Sequence, residues 1–213
     1  MELTKHAHAC VTLDKGTGHL LVDPGAFTPN ATELIASSDT ILITHEHPDH
    51  FDEEAIAAAL DARPELKVYG PGAVVNRWEA RAGQVTAVSE GDRLSMEGFD
   101  VAVFGDIHAE IHPDVPRCAN VGYLVDGQLY HPGDAYHVPL APVSTLLLPT
   151  SGPWTKLGHA VDYVRAVKPA QLIQIHELML SELGQQSMAR FIGPDMLGSV
   201  PLTILPPGDS LSV

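Results

Sequence analysis

With 213 residues, 45% of them hydrophobic and only 18% charged, the chain is long enough to bury one sizeable core and too apolar to stay disordered. Its formal net charge of −15, from 12 basic against 27 acidic residues, argues against broad contact with nucleic acid or an anionic membrane face, both of which need clustered Lys and Arg. Two cysteines, Cys10 and Cys118, are too few for a disulfide framework and form no CxxC pair, so they read as ordinary buried thiols in a reducing compartment. The opening MELTKHAHACVTLD has no basic start followed by an apolar stretch. No run approaches the roughly 18 apolar residues of a membrane span, and the expected location is the cytoplasm.

In chain order, residues 8–14 and 19–23 are predicted strands around the turn Lys15-Gly16-Thr17-Gly18, the second ending at Asp23-Pro24-Gly25. A short helix is expected over residues 31–37. Residues 40–44 follow as a compact apolar run suited to a strand buried on both faces, which delivers the chain into His45. Asp52 is a predicted N-cap for EEAIAAALDA, with Glu53 and Glu54 in the first turn where the helix dipole favours negative charge. Residues 67–69 then read as a strand, 73–82 as a helix and 85–88 as a strand. The stretch 93–130 is β-rich, with 99–104, 119–125 and 128–130 the clearest strands. Alternation returns with strand 145–148, helix 156–167, strand 171–175, helix 179–191 and strand 202–205. No repeat or linker divides the chain, so residues 1–213 read as one domain. Mixed strand and helix on either side of a β-rich middle suits two packed sheets with helices outside, a four-layer α/β arrangement.

The densest local signal is His45-Glu46-His47-Pro48-Asp49-His50, three imidazoles and a carboxylate directly after a buried strand. In an extended loop, residues two apart face the same side, so His45 and His47 can grip one ion while Asp49 and His50 turn toward a second. Imidazole nitrogen and carboxylate oxygen suit zinc, and a catalytic site keeps a coordination position free for water. Two adjacent ions can share a hydroxide, which is a nucleophile at neutral pH. The competing interpretation is a helix-capping loop with solvated histidines.

This HxHxDH loop resembles that of the metallo-β-lactamase superfamily. The resemblance continues in Leu20-Leu21-Val22-Asp23-Pro24-Gly25, similar to the family's early strand, and in Tyr130-His131-Pro132-Gly133-Asp134, similar to its later strand ending in Gly-Asp. The short length and Leu148-Pro149-Thr150-Ser151-Gly152-Pro153-Trp154 are most similar to the small single-domain group that includes L-ascorbate-6-phosphate lactonase.

The resemblance implies an αββα sandwich of the metallo-β-lactamase type and metal-dependent hydrolysis with two divalent metal ions, zinc foremost, manganese or iron as alternatives. It implies a third histidine for the first ion, His108 or His112, with His108 preferred because it follows strand 99–104. It further implies Asp134 as a bridging carboxylate and His176 as partner of Asp49 and His50 on the second ion, with Asp49 also a proton acceptor in catalysis. Asp23 is expected to hold the far ring nitrogen of a ligand rather than a metal. The roles of His8, His131, His137, His159 and Trp154 stay open between cleft contact and packing. The expected substrate is a small polar ester, lactone or phosphoester. Two alternatives remain: a nucleic-acid phosphodiesterase of the same fold, for which the chain lacks basic charge, and a catalytically silent metal-binding protein. A homo-oligomer is compatible with the sequence.

Overall fold

The computed structural model describes residues 1–213. Strands β1 (Glu2–Lys5), β2 (Val11–Asp14) and β3 (His19–Val22) form an antiparallel meander. Helix α1 (Ala31–Ser37), strand β4 (Thr40–Leu42), helix α2 (Glu53–Ala62), strand β5 (Lys67–Gly70), the short helix α3 (Gly72–Val75) and strand β6 (Val85–Ala87) extend that sheet by parallel pairing. The second half carries β7 (Arg93–Met96), β8 (Phe99–Phe104), β9 (Gly122–Val125), β10 (Leu129–His131), β11 (Thr145–Pro149), α4 (Leu157–Val167), β12 (Gln171–Ile175), α5 (Glu182–Ile192), β13 (Leu202–Thr203) and β14 (Ser210–Ser212). Two seven-stranded sheets result, ordered β14-β1-β2-β3-β4-β5-β6 and β13-β12-β11-β10-β9-β8-β7.

Strand periodicity explains the layering. Leu20, Val22 and Leu42 face inward and meet Val103, Tyr123, Leu147 and Ile173 of the other sheet in the central core. Their neighbours Leu21 and Ile41 point outward to Ile35, Ile56 and Leu60 of α1 and α2. Likewise Leu146, Leu148 and Leu172 face outward onto Ala160, Val161 and Val164 of α4 and Ile192 of α5. Successive side chains alternate between faces, so strands apolar on both faces are buried on both, at about 1.5–3 kcal/mol for each large aliphatic side chain. The expected αββα sandwich, two packed mixed sheets with helices outside, is the observed fold.

The structure differs from the sequence expectation at several edges. Residues 8–10 are not strand: His8 lies at φ 61°, which turns the chain before β2 begins at Val11. Strands β1, β7 and β14 were not expected individually; β1 and β14 pair through short, partly polar segments such as Thr4 opposite Ser210. The predicted helix 73–82 is α3 followed by a 3-10 segment, Asn76–Arg81, broken at Trp78 (φ −127°, ψ 40°). Helix α5 starts later than residue 179, because the Ser181 hydroxyl accepts from the Gly184 N–H at 3.2 Å and caps it there. Asp52 does cap α2, accepting from the Ala55 N–H at 3.0 Å. No helix is long and apolar enough to cross a membrane.

Parallel strands bring their carboxyl ends to one edge of the sandwich, and the chain leaves β1, β3, β4, β8, β10 and β12 there just before His8, Asp23, His45, His108, Asp134 and His176. Crevices outside strand carboxyl ends are where open α/β sheets place their ligands.

Candidate metal centre

Seven side chains singled out from the sequence meet at this edge. His45, His50, His108, Asp134 and His176 are buried, and His47 and Asp49 are partly exposed. Ring nitrogens and carboxylate oxygens gather into three groups that could hold a cation: His45, His47 and His108; His45, His50 and Asp134; and His8, Asp49, His50 and His176. His112 does not join them. Its side chain is exposed beside Asp114, with its Nδ1 accepting from the Asp114 N–H at 3.2 Å.

Hydrogen bonds on the far side of His108, His50 and His45 decide what these rings offer to the cleft. His108 Nδ1 lies 2.6 Å from the Ala109 carbonyl, which only accepts, so Nδ1 carries the proton and Nε2 presents a lone pair. His50 Nδ1 donates to Asp23 Oδ2 at 2.7 Å. The Thr44 hydroxyl donates to the same oxygen at 2.7 Å and so accepts from His45 Nδ1 at 3.0 Å. The Thr44 N–H occupies Asp23 Oδ1 at 2.8 Å. Asp23 thus orients two imidazoles, one directly and one through Thr44, the arrangement that metal-binding histidines commonly show.

On the cleft side, partners are missing. His50 Nε2, His108 Nε2, His176 Nε2 and Asp134 Oδ1 are all buried without a hydrogen bond, although buried polar atoms are nearly always satisfied. His50 Nε2 and Asp134 Oδ1 lie only 3.1 Å apart, yet neither atom has a well-aligned hydrogen-bond partner. His45 Nε2 and His47 Nδ1 are separated by 3.1 Å, close to the roughly 3.4 Å between two nitrogens on one tetrahedral zinc at about 2.1 Å. The donor set therefore fits divalent cations.

Electrostatics agree. Burial pushes His45 well below the ordinary histidine range, helped by the neighbouring His50, and burial likewise lowers His47 and His8. Burial opposes charge on His50 and His176 too, but the carboxylates win: Asp134 and Asp23 raise His50, and Asp134 and Asp49 raise His176. Burial would raise Asp134, and the positive rings of His50 and His176 outweigh it, holding the carboxyl well below the usual range. Asp49 is likewise held down, against burial, by the His176 and His8 rings, whose Nε2 atoms stand 3.5 Å and 3.0 Å from its Oδ2. Carboxylates that stay ionised inside a ring of imidazoles are what a bound cation requires.

Backbone geometry locks the arrangement. His8, Asp23 and His176 have φ of 61°, 51° and 58°, left-handed conformations that cost non-glycine residues about 1–3 kcal/mol each and tend to cluster at functional sites. A Cβ on Gly25 would run into the backbone of Asp49, and one on Gly133 (φ 62°) into Asn120 and Thr44. Glycine at both positions lets the turn after β3 and the turn after β10 close on the histidine loop.

Residues left open by the sequence now have places. His8 is buried, its Nε2 3.0 Å from Asp49 Oδ2 and its ring stacked on His176 at 3.7 Å between centroids. Trp154 donates its indole N–H to Asp134 Oδ2 at 2.8 Å. His131 is structural: it donates to the Ala9 carbonyl at 2.8 Å and accepts from the Gly133 N–H at 3.2 Å. His137 sits half-exposed near Glu90, and His159 is exposed on α4. Cys10 is buried, as expected. Cys118 is not: it is half-buried at the cluster edge, 3.7 Å from His47 Nε2, with its thiol pushed up to about 11 chiefly by burial. Sequence reasoning also missed Lys5, a buried lysine paired with Glu177 at 2.6 Å. Glu177 in turn accepts from the His8 N–H at 3.3 Å. Only the adjacency of Glu177 to His176 hinted at that support.

Comparison with known proteins agrees with this architecture. The family model described as a β-lactamase superfamily domain matches residues 2–176. The chain belongs to that family and so to the metal-dependent hydrolases of the metallo-β-lactamase superfamily. Protein Rv0786c of Mycobacterium tuberculosis is 38% identical over 187 residues, covering 85% of this chain and 86% of its own length. A UPF0173 metal-dependent hydrolase of Methanosphaerula palustris is 27% identical over 234 aligned residues, with 100% of both chains covered. Among solved structures, Igni18, a metallo hydrolase from Ignicoccus hospitalis, superposes with a TM-score of 0.73 over 99% of this chain and 97% of its own. At 17% identity, that likeness speaks for the fold alone.

Proposed function

We propose that the cleft hydrolyses a small ester, lactone or phosphoester with two divalent cations, zinc foremost. His45, His47 and His108 would hold one, Asp49, His50 and His176 the other, with Asp134 between them. One observation supports this most: three buried ring nitrogens and a carboxylate oxygen, each without a hydrogen-bond partner, belong to the side chains that gather at one edge of the sandwich. Such cations lower the pKa of a water in the cleft and polarise the scissile carbonyl or phosphoryl group.

The protein's own side chains do the rest. Asp49, with His8 Nε2 3.0 Å and His176 Nε2 3.5 Å from its Oδ2, stays ionised and can take up a proton as well as help hold a cation. Trp154 fixes the plane of the Asp134 carboxylate, and Asp23 fixes His50. No Lys or Arg lines the cleft, and with a net charge of −15 a small-molecule substrate is favoured over nucleic acid. The narrower similarity to the lactonase group rests on the short length and the 148–154 loop.

Chelation tests the reading. Dialysis against a strong chelator should abolish hydrolysis of p-nitrophenyl esters while circular dichroism shows the fold retained, and added zinc or manganese should restore it. Undiminished turnover by folded protein that elemental analysis finds free of metal would rule the proposal out.

A further inference from the structure

Beside His47, Asp49, His108, Asp134 and His176, the cleft is lined by Phe27, Ile111, Pro153, Trp154 and Met179. Its volume of about 210 Å³ equals that of about seven liquid waters. Phe27, Ile111 and Met179 keep 44%, 36% and 57% of their surface exposed, so three large apolar side chains stand in water around one opening. Clustered exposure of that kind marks a surface meant to meet something apolar.

Pro153 and Met179 also form one wall of a second, shallower hollow of about 550 Å³ beside the first. Its apolar walls are Leu157, Leu180 and Met188, and its polar ones are the neutral Thr150, Ser151 and Thr155. No titratable side chain lines it, and no lysine or arginine lines either hollow. Apart from the proposed cations, a phosphate monoester would find no guanidinium or ammonium to grip it there, although such groups are the usual means of holding phosphate. The surrounding field, set by 27 acidic against 12 basic residues, also repels anions on approach. The nearby cations are committed elsewhere: Lys5 to Glu177, Arg77 to Glu46 and Glu53, and Arg117 to the His108 carbonyl.

We infer that the substrate is a neutral carboxylic ester or lactone carrying an unbranched apolar tail, with the reacting carbonyl over the histidine cluster and the tail crossing Met179 and Pro153 into the second hollow. The inference rests on the hydrolase proposal and narrows it by discarding phosphoesters. Methionines at positions 179 and 188 suit a tail path, since their flexible thioethers adapt to chains of different length.

The test uses zinc-loaded protein with two measurements: turnover of p-nitrophenyl acetate, butyrate, octanoate and phosphate, and calorimetric binding of the matching aliphatic hydroxamates. The expected result is an affinity gain of up to about fourfold per methylene from acetohydroxamate to butyrohydroxamate. The gain should continue to octanohydroxamate and flatten beyond the fourth carbon in Met188→Asp. Among substrates, octanoate and butyrate should outrun acetate, and phosphate should be turned over at least about 100-fold more slowly, as expected when no side chain in the lining grips its charged oxygens. Esters cleaved without regard to chain length, hydroxamates bound with equal affinity, or phosphate cleaved fastest would overturn the inference and leave the hydrolase reading standing. Binding that strengthens with chain length, with none of the substrates cleaved, would overturn the hydrolase reading and, with it, the ester assignment.

Discussion

Asp134→Asn is expected to lower hydrolysis by about 10³-fold or more while the protein stays folded. Asparagine keeps the volume and the oxygen that accepts from Trp154, now 2.8 Å away, so packing around the indole survives. Charge is what disappears. Asp134 Oδ1 lies 3.1 Å from His50 Nε2, and Oδ2 lies 3.2 Å from His176 Nε2 and 3.4 Å from His108 Nε2, which puts this buried carboxylate in reach of imidazoles from three different strand ends. Neutralising it removes the negative charge needed to hold two cations close together, and metal content should fall with activity. Titration of each variant with zinc, followed by ester hydrolysis at saturating metal, separates the two losses. Wild-type turnover in Asp134→Asn would remove this carboxylate from the mechanism.

Asp23→Ala should act differently, through positioning. The wild-type carboxylate is buried and accepts from the Thr44 N–H, the Thr44 hydroxyl and His50 Nδ1 at 2.7–2.8 Å. Alanine strands all three donors in the interior, and the expected loss of stability is about 3–5 kcal/mol. It also frees His50 to rotate and lets the Thr44 hydroxyl, and with it His45, change partners. Metal affinity should drop about 10–100-fold, the usual cost of removing a carboxylate behind a ligand histidine. Asp23→Asn retains an acceptor and should lie between the two. Equal zinc affinity in wild type, Asp23→Asn and Asp23→Ala would mean that the hydrogen bonds to His50 and Thr44 do nothing for the centre.

The two variants illustrate which parts of the centre are legible in sequence. His45, His47, Asp49 and His50 stand within one loop, so spacing alone groups them. Asp23 is marked by Asp-Pro-Gly after an apolar strand, and Asp134 by the matching Gly-Asp. The sheets were readable for a related reason: strands with consecutive apolar residues, such as Leu146-Leu147-Leu148, must be covered on both faces.

Where the determining contacts are remote in sequence, the reading failed. His8 reaches Asp49 across 41 residues only because the backbone turns left-handed just after β1. A run of alternating residues does not announce such a turn. Trp154 finds Asp134 across a loop whose course depends on Gly152 (φ 137°). Lys5 looks like a surface residue until Glu177, 172 positions away, supplies its partner. Cys118 escaped because its exposure depends on where the 105–120 segment lies against His47. Helix 73–82 carried helical spacing, but its kink at Trp78 packs the indole against Phe51, with ring centroids 5.5 Å apart, and tertiary contact overrode local preference.

Anomalous scattering at the zinc edge, recorded on crystals of protein purified without added metal or chelator and paired with elemental analysis, tests the central claim most directly. The account predicts two peaks, one among His45, His47 and His108 and the other among Asp49, His50 and His176, with Asp134 reaching both. Should zinc be replaced by manganese or iron, the peaks will move to that element's edge and stay in place. Crystals of active protein that show no ion among these side chains at any of those edges would contradict it.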